Sequence, residues 1–180
     1  MRISKHNSVA VVVDVQERLF PHIHEHQQLE KNLITLISGL KILDIPLIVT
    51  QQYTKGLGKT IPSVAKALGK YDPLEKLTFS CCADPDFMDT LSDLGKNQII
   101  LMGIETHVCV LQTAIDLLQR GYQPVIIEDC VSSRKLNDKQ VAIERMRHHG
   151  MIISTYESIL LELCLVAGTE QFKAISTLIK

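Results

Sequence analysis

The sequence lacks the features that mark membrane, exported and nucleic-acid-binding chains. No apolar run approaches the ~20 residues that a helix needs to cross a bilayer, and residues 1–8 (MRISKHNS) lack the apolar stretch of a signal peptide. The formal net charge is −1 and both signs are spread along the chain, so we expect no extended basic surface. The sequence therefore predicts a cytoplasmic protein whose partners are neither nucleic acid nor a membrane.

The chain also lacks a disulfide framework and a phosphate-binding motif. Its five cysteines, at positions 81, 82, 109, 130 and 164, follow no regular spacing, and such cysteines in a chain without an export signal usually remain thiols. No strand-to-helix G-x-x-x-x-G-K-[ST] motif accompanies the glycines at 56 and 58. With 180 residues, 46% hydrophobic and 22% charged, the chain has the length and composition of one globular domain over 1–180.

Short apolar runs alternate with helical patterns along the chain. Periodicity predicts strands at 9–13, 45–50, 73–80, 98–102, 124–128 and 151–154, and helices at 28–43, 86–94, 138–149, 157–165 and 170–179, with a further helix after Gly103. We expect Asp84 to cap the helix at 86–94, and we expect the stretch QQYTKGLGKTIPS to be an irregular loop. This alternation predicts an α/β fold, with a doubly wound, mostly parallel six-stranded sheet and helices on both faces.

Cys109 is the candidate nucleophile. It follows the buried strand at 98–102 and falls in the first turn of the next helix, whose apolar face includes Val108 and Leu111. The unpaired amides and positive dipole end of a helix favour thiolate over thiol. On position alone an inert core cysteine is the commoner outcome, so the case for Cys109 depends on its neighbours.

Two charged residues are expected to lie beside this cysteine. Asp14 ends the first strand and Lys76 lies in or beside the third, and ligands of such sheets bind beyond the carboxyl ends of the strands. A thiolate attacks an electrophilic carbon, a carboxylate moves the proton, and an ammonium stabilises both negative charges. The competing interpretations are that Asp14 caps a loop and that Lys76 is solvated.

Other polar residues near the strand ends are weaker candidates. Four residues follow the first two strands and are expected to line a substrate pocket, with ordinary packing as an equal alternative: Gln16, Phe20, Gln51 and Tyr53. The alternating His22, His24 and His26 suggest metal ligands, but a solvated turn is the favoured interpretation. His107 lies two residues before Cys109, so on a helix it points away and is a poor base.

Three motifs carry a family resemblance when they are taken in this order. VVVDVQ at 11–16, PLEKLTFS at 73–80 and GIETHVC at 103–109 together resemble the isochorismatase-like cysteine hydrolase superfamily, which includes nicotinamidases and N-carbamoylsarcosine amidase. The stretches QQYTKGLGKTIP, DCVSSR and QFKAISTLIK are further similar to the isochorismatase domain-containing branch. The resemblance extends over nearly the whole chain and implies the Rossmann-like three-layer sandwich of that superfamily.

The resemblance also implies roles for individual residues. It assigns Asp14 as general base, Lys76 as its charge partner and Cys109 as nucleophile. A non-proline cis peptide bond is expected between Ile104 and Glu105, with an oxyanion hole formed by the backbone amides of Glu105 and Cys109. The implied reaction is hydrolysis of a C–N bond in a small amide or carbamoyl compound through a thioester intermediate.

Two departures from the superfamily narrow this expectation. Metal-dependent nicotinamidases carry an aspartate and histidines after the second strand, where this chain has TQQYTKGLGK, so no metal or other cofactor is expected. Isochorismatases lack a cysteine at the nucleophile position, so Cys109 disfavours isochorismate as substrate.

Two other functional classes remain open from the sequence. The chain is alternatively a catalytically silent protein of this fold that acts as an interaction subunit, or a redox sensor that uses Cys81 and Cys82 with Cys109. The apolar segment ESILLELCLVAG suggests more buried surface than a small monomer supplies, so we expect a homo-oligomer.

Overall fold

A computed structural model describes residues 2–180 as a six-stranded sheet between two layers of helices. The strands are β1 Ser8–Val13, β2 Leu47–Gln52, β3 Leu74–Lys76, β4 Gln98–Ile104, β5 Gln123–Ser132 and β6 Ile152–Ser154. Their order is β3-β2-β1-β4-β5-β6, and every neighbouring pair is parallel. The predicted α/β fold with a doubly wound, mostly parallel sheet is therefore confirmed. All five pairs of neighbouring strands are parallel.

Eight α-helices connect and cover the strands in the described chain. They are α1 His26–Ile42, α2 Thr54–Leu57, α3 Pro62–Leu68, α4 Pro85–Leu94, α5 Leu111–Gln119, α6 Leu136–His148, α7 Tyr156–Cys164 and α8 Glu170–Leu178. Within residues 2–180, no helix combines the length and the apolar character that crossing a bilayer requires.

The residues of β1 explain why helices cover both faces. All six residues from Ser8 to Val13 are buried, and successive side chains of a strand point to opposite faces. Ala10 and Val12 pack into the cluster of α1, α3, α7 and α8, whereas Val9, Val11 and Val13 pack into the cluster of α4, α5 and α6. A strand without a polar face needs an apolar layer on each side.

Gly103 allows β1 and β4 to pair closely up to their carboxyl ends. It pairs with Val13 in the register of these strands, and its φ of +116° is a conformation that side-chain-bearing residues rarely adopt. A Cβ placed there would lie 2.1 Å from the carbonyl oxygen of Val13. Only glycine therefore fits at this position.

The strand order places the residues after β1 and β4 next to each other. From β1 to β3 successive strands are added on one side of β1, and from β4 to β6 they are added on the other side. The direction in which the chain builds the sheet therefore reverses between β1 and β4. Crevices at such reversals, beyond the carboxyl ends of the strands, bind ligands in open α/β sheets. Asp14 and Cys109 follow the two strands that flank this crevice.

The segment 51–63 differs from the sequence prediction. It was expected to be an irregular loop, but it contains the end of β2, the four-residue helix α2 and the start of α3. Pro62 occupies the first turn of α3, where its missing N–H costs nothing. Pro62 therefore starts a helix, whereas the sequence predicts that it breaks the pattern.

Strand lengths and one helix cap complete the comparison with the prediction. The strand predicted at 73–80 covers only Leu74–Lys76, and the strand predicted at 124–128 extends over Gln123–Ser132. The cap prediction is confirmed, because the Asp84 side chain accepts hydrogen bonds from the amides of Asp86 and Phe87.

Candidate active site

Asp14 and Lys76 form a buried ion pair at the carboxyl edge of the sheet. Lys76 Nζ lies 2.6 Å from Asp14 Oδ2, and it also donates to Gln52 Oε1 at 2.8 Å. The carbonyl oxygens of Thr78 and Phe79 lie 3.1 and 3.3 Å from the same nitrogen. An ammonium has three protons, so these four acceptors occupy it completely.

The Asp14 carboxylate is held by a second group on the neighbouring strand. Thr50 Oγ1 donates to Asp14 Oδ1 at 2.7 Å, so each carboxylate oxygen has a partner. The backbone at Asp14 has a φ of +50°, a left-handed conformation that aspartate tolerates better than most residues. This turn directs the carboxylate into the crevice between β1 and β4.

Cys109 faces this ion pair across the crevice. Its side chain and that of Asp14 line the same pocket, and its Sγ lies 3.9 Å from Gln52 Oε1. The structure therefore brings Asp14, Lys76 and Cys109 together, although 95 positions separate the first from the last in the sequence.

The ionisation of Cys109 differs from the expectation based on helix position. Burial raises the pKa of the Cys109 thiol, and the Asp14 charge raises that pKa further, while Lys76 acts in the opposite direction. The expectation of a thiolate stabilised by the helix start is therefore wrong for the free protein. Cys109 also lies within a five-residue π-helical turn, Thr106–Val110, that precedes α5, and not in the first turn of the α-helix itself.

The peptide bond between Ile104 and Glu105 is cis, as the family resemblance implied. The carbonyl oxygen of Glu105 accepts hydrogen bonds from the amides of Val108 and Val110 at 3.1 and 3.2 Å. The Glu105 carboxylate accepts from the amide and from Nε of Arg134, both at 3.0 Å. These bonds fix the chain between β4 and Cys109.

A pocket of about 170 Å³ opens beside Cys109. Four of its lining residues carry polar or reactive groups and the other five form apolar walls: Asp14, Gln52, Glu105 and Cys109, and Leu19, Leu57, Phe79, Ile104 and Val108. Such a small apolar chamber with a few convergent polar groups is typical of a small-molecule site.

The four predicted substrate-binding residues do not line this pocket. Gln16 is fully buried and its amide donates to the carbonyls of Gln52 and Gly58, while Gln51 donates to Thr60 Oγ1. Phe20 packs in the core with its ring edge against His26. Tyr53 is 48% exposed on the surface. Gln16, Gln51 and Phe20 are therefore buried away from this pocket, and Tyr53 lies outside it.

The pocket residues that the sequence interpretation missed follow a simple pattern on β2. Side chains alternate along a strand, so Thr50 and Gln52 share one face and Gln51 points to the other. Thr50 and Gln52 both contact the ion pair. Once Thr50 is known to face the site, the alternation of side chains along β2 selects Gln52 and not Gln51.

The histidines form no cation site in the described part of the chain. No group of three or more His, Cys, Asp or Glu side chains between residues 2 and 180 is placed to hold a metal ion. His24 Nε2 lies 3.8 Å from Glu25 Oε1, and His26 begins α1. His107 contacts Ser133 Oγ at 2.9 Å and is not part of the pocket lining.

The remaining cysteines are free thiols. Burial raises the pKa of Cys81 to about 11 and that of Cys82 to about 12. Burial also raises the pKa of Cys130. Raised thiol pKa values reduce the reactive thiolate fraction at neutral pH, so these cysteines are poor candidates for redox sensing.

Comparison with known proteins identifies relatives over nearly the full length. The family model described as the isochorismatase domain matches residues 8–158. A Danio rerio protein named isochorismatase domain-containing protein 2 is 37% identical over 179 residues, which cover 99% of this chain and 89% of the relative.

Two solved structures share the fold. One described as the MAR1 ribonuclease from Caenorhabditis elegans has a TM-score of 0.93 and 39% identity, and the match covers 99% of this chain and 92% of that chain. The Escherichia coli YcaC gene product, described as an octameric hydrolase of unknown specificity, has a TM-score of 0.93 at 21% identity, with 99% and 89% coverage. At that identity, the second similarity shows the fold alone.

Proposed function

The chain belongs to the isochorismatase family, and from this premise we propose that it is a metal-independent cysteine hydrolase that cleaves the C–N bond of a small amide or carbamoyl compound. The observation that carries the proposal is the convergence of Asp14, Lys76 and Cys109 at one pocket. The thiol supplies the nucleophile, the carboxylate the proton acceptor and the ammonium the charge partner, so the chemistry needs no metal.

The first half of the proposed reaction forms a thioester. Asp14 accepts the proton of the Cys109 thiol while Sγ attacks the carbonyl carbon of the substrate, and the carbonyl oxygen takes the negative charge. The backbone amides of Glu105 and Cys109 are the proposed oxyanion hole for that charge. When the C–N bond breaks, protonated Asp14 gives its proton to the leaving nitrogen, which departs as ammonia or an amine.

The second half releases the acid. Asp14 accepts a proton from water as the water oxygen attacks the thioester carbon, and collapse of this intermediate breaks the C–S bond. The thiolate takes the proton back from Asp14, which restores the starting state. One carboxylate serves both halves because the leaving nitrogen and the water occupy the same side of the acyl group in turn.

The raised pKa of Cys109 fits this sequence of steps. A thiol that rests protonated beside a carboxylate is activated only when the substrate is in place and the proton moves to Asp14. Lys76 holds that carboxylate in position through its 2.6 Å ion pair. The site is thus arranged for proton transfer coupled to attack.

Cys109→Ala tests the proposal directly. We expect the variant to fold, to lose turnover of every amide that the wild-type protein hydrolyses, and to lose covalent labelling by an electrophilic amide such as acrylamide. Cys130→Ala is the matched control, because it removes another buried thiol, which is not among the pocket-lining residues. Full activity of Cys109→Ala would end the proposal.

The competing function is a silent subunit that acts through an interaction surface. It predicts that no amide is hydrolysed and that Cys109 forms no acylated species with any amide. The name of the C. elegans relative makes RNA the control substrate in the same assay. RNA cleavage that survives Cys109→Ala would show a different activity from the one proposed.

We also propose that the protein acts as one domain and assembles as a homo-oligomer. In the segment ESILLELCLVAG, Ile159, Leu160 and Leu163 pack into the chain's own core, but Leu165 and Val166 are exposed. The octameric description of the E. coli structure supports assembly in this fold. Sedimentation that shows only a 20.2 kDa species at low micromolar concentration would contradict the oligomer.

A further inference from the structure

The charges around the pocket are unequal. Asp14 and Glu105 are among its lining residues, and their carboxylates are paired with Lys76 and Arg134, but no lysine, arginine or histidine lines the pocket itself. The remaining walls are mostly aliphatic or aromatic, with Phe79 itself 56% exposed at the surface. A substrate carboxylate placed here would therefore find no cation among the lining residues and would meet mostly apolar surface.

Lys76, the cation paired with Asp14, has no free N–H with which to bind a substrate. Lys76 is buried behind Asp14 and its ammonium already faces four acceptors. Turning it toward a substrate carboxylate would leave the buried Asp14 carboxylate without its charge partner, which is unfavourable. Lys76 is thus committed to Asp14.

Arg134, the cation paired with Glu105, lies outside the pocket lining. Arg134 is bound through its Nε and its amide to Glu105 Oε1, and its side chain is 59% exposed. It is not among the residues that line the pocket. Its charge is balanced by Glu105, and its side chain lies outside the residues that line the pocket.

The volume of the pocket also limits the size of the substrate's acyl group. An apolar protein cavity of roughly 150 Å³ holds a benzene-sized molecule, and this pocket has about 170 Å³. A carboxylate that loses its water in such surroundings pays a desolvation cost that no partner offsets. The walls therefore favour a compact apolar group of about six heavy atoms.

From these observations we propose that the substrates are uncharged amides with a compact apolar acyl group, and that amides bearing a carboxylate are rejected at the pocket. This inference rests on the proposed hydrolase function and narrows it to one charge class. It separates this protein from enzymes that cleave carbamoyl or amide derivatives of acids.

A matched pair of amides tests the charge preference. Succinamate and 4-methylpentanamide have the same carbon chain to the amide and end in a carboxylate and an isopropyl group of similar shape. We expect kcat/KM to be at least 100-fold higher for 4-methylpentanamide. Equal values, or a preference for succinamate, would overturn the inference and leave the hydrolase proposal standing.

A binding measurement separates the two proposals. At equal concentrations, we expect 4-methylpentanamide to protect Cys109 from iodoacetamide and succinamate to give no protection. Protection by 4-methylpentanamide without its hydrolysis would contradict the hydrolase function but support the charge preference. Equal protection by both compounds would contradict the charge preference.

Substitution of a pocket-lining residue tests the charge preference from the protein side, because it can add the missing cation. Leu57→Lys places a free ammonium at the pocket, and we expect it to raise kcat/KM for succinamate at least 10-fold, whereas Leu57→Met should not. Arg134→Gln removes the Nε bond to Glu105, so we expect it to lower kcat/KM for both amides by the same factor and to leave their ratio unchanged. A selective fall of the succinamate activity in Arg134→Gln would show that Arg134 binds acids and would overturn the inference.

Discussion

Lys76 Nζ lies 2.6 Å from Asp14 Oδ2, and only 2% of each side chain is exposed. Burying two charges costs several kcal/mol, which their attraction repays only with good geometry and further hydrogen bonds. Thr50 and Gln52 supply these bonds from one face of β2. The pair therefore depends on the neighbouring strand, and substitutions that test it must keep its shape.

Asp14→Asn should move turnover and alkylation in opposite directions. Without its carboxylate the protein has no proton acceptor, so we expect amide hydrolysis to fall at least 1,000-fold. The Asp14 charge is also the largest cause of the raised Cys109 pKa after burial, so the pKa of the thiol should fall. Iodoacetamide should consequently label Cys109 faster at pH 7 than in the wild-type protein.

Mass spectrometry of the labelled protein at several pH values measures that change. In the wild-type protein the labelling rate of Cys109 should keep rising with pH beyond 9, because its pKa lies above the ordinary value. A rate that levels off near pH 6 would indicate a preformed thiolate and would contradict the proton-transfer account.

Thr50→Val should weaken catalysis without unfolding the protein. The substitution keeps the shape of the side chain but removes the 2.7 Å bond to Asp14 Oδ1. A hydrogen bond to a charged group contributes about 1.5–3 kcal/mol, so we expect kcat/KM to fall about 10- to 100-fold. Thr50→Ser keeps the hydroxyl and should recover most of the activity, and failure of that rescue would indicate a packing effect instead.

Gly103→Ala should destabilise the fold strongly. The added Cβ would lie 2.1 Å from the carbonyl of Val13, and φ is +116°, so β1 and β4 would have to separate next to the site. We expect a loss of at least ~3 kcal/mol in the free energy of unfolding, measured by urea titration. Gly95→Ala is the control, because it has positive φ but nothing within 4 Å, and it should lose only about 1 kcal/mol.

Stability should decrease in alkaline solution because the buried thiols resist ionisation. The pKa of Cys81 is raised from 9.0 to about 11, so folded and unfolded chains both keep this proton below pH 9. Between pH 9 and 11 only the unfolded chain loses it, and the stabilisation from the neutral buried thiol is lost progressively. This thiol alone should cost about 1 kcal/mol between pH 8 and 10.

Urea titrations of wild type and Cys81→Ala at pH 8 and pH 10 test this assignment. Other groups titrate in the same range, so the informative quantity is the difference between the two proteins. The pH-dependent loss should be about 1 kcal/mol smaller in the variant. The same loss in both proteins would show that the Cys81 thiol does not contribute.

The fold could be predicted from the sequence because its signals are local. The wholly apolar run of β1 and the three- and four-residue spacing of the helices each specify an element without reference to the rest of the chain. Asp84 and Pro85 likewise mark the start of α4 by themselves. The sequence did not predict α2 because Gly56 and Gly58 disfavour a helix there, and it did not predict the start of α3 because Pro62 is usually a helix breaker.

The site was only partly predictable for a related reason. Asp14, Lys76 and Cys109 were found from their places at strand ends, and their meeting follows from the strand order, although their catalytic roles remain a proposal. The walls were not found, because the choice between Gln51 and Gln52 depends on which face of β2 meets the crevice. The raised pKa of Cys109 depends on burial by residues distant in sequence, which helix position alone does not reveal.

The central claim is that Cys109 carries the acyl group of an uncharged amide, and intact-protein mass spectrometry during turnover tests it most directly. With 4-methylpentanamide and rapid acid quenching, we expect a transient species heavier by the 4-methylpentanoyl group, located at Cys109 and absent from Cys109→Ala. Turnover that proceeds at the same rate in Cys109→Ala, with no acylated species in the wild-type protein, would contradict the account.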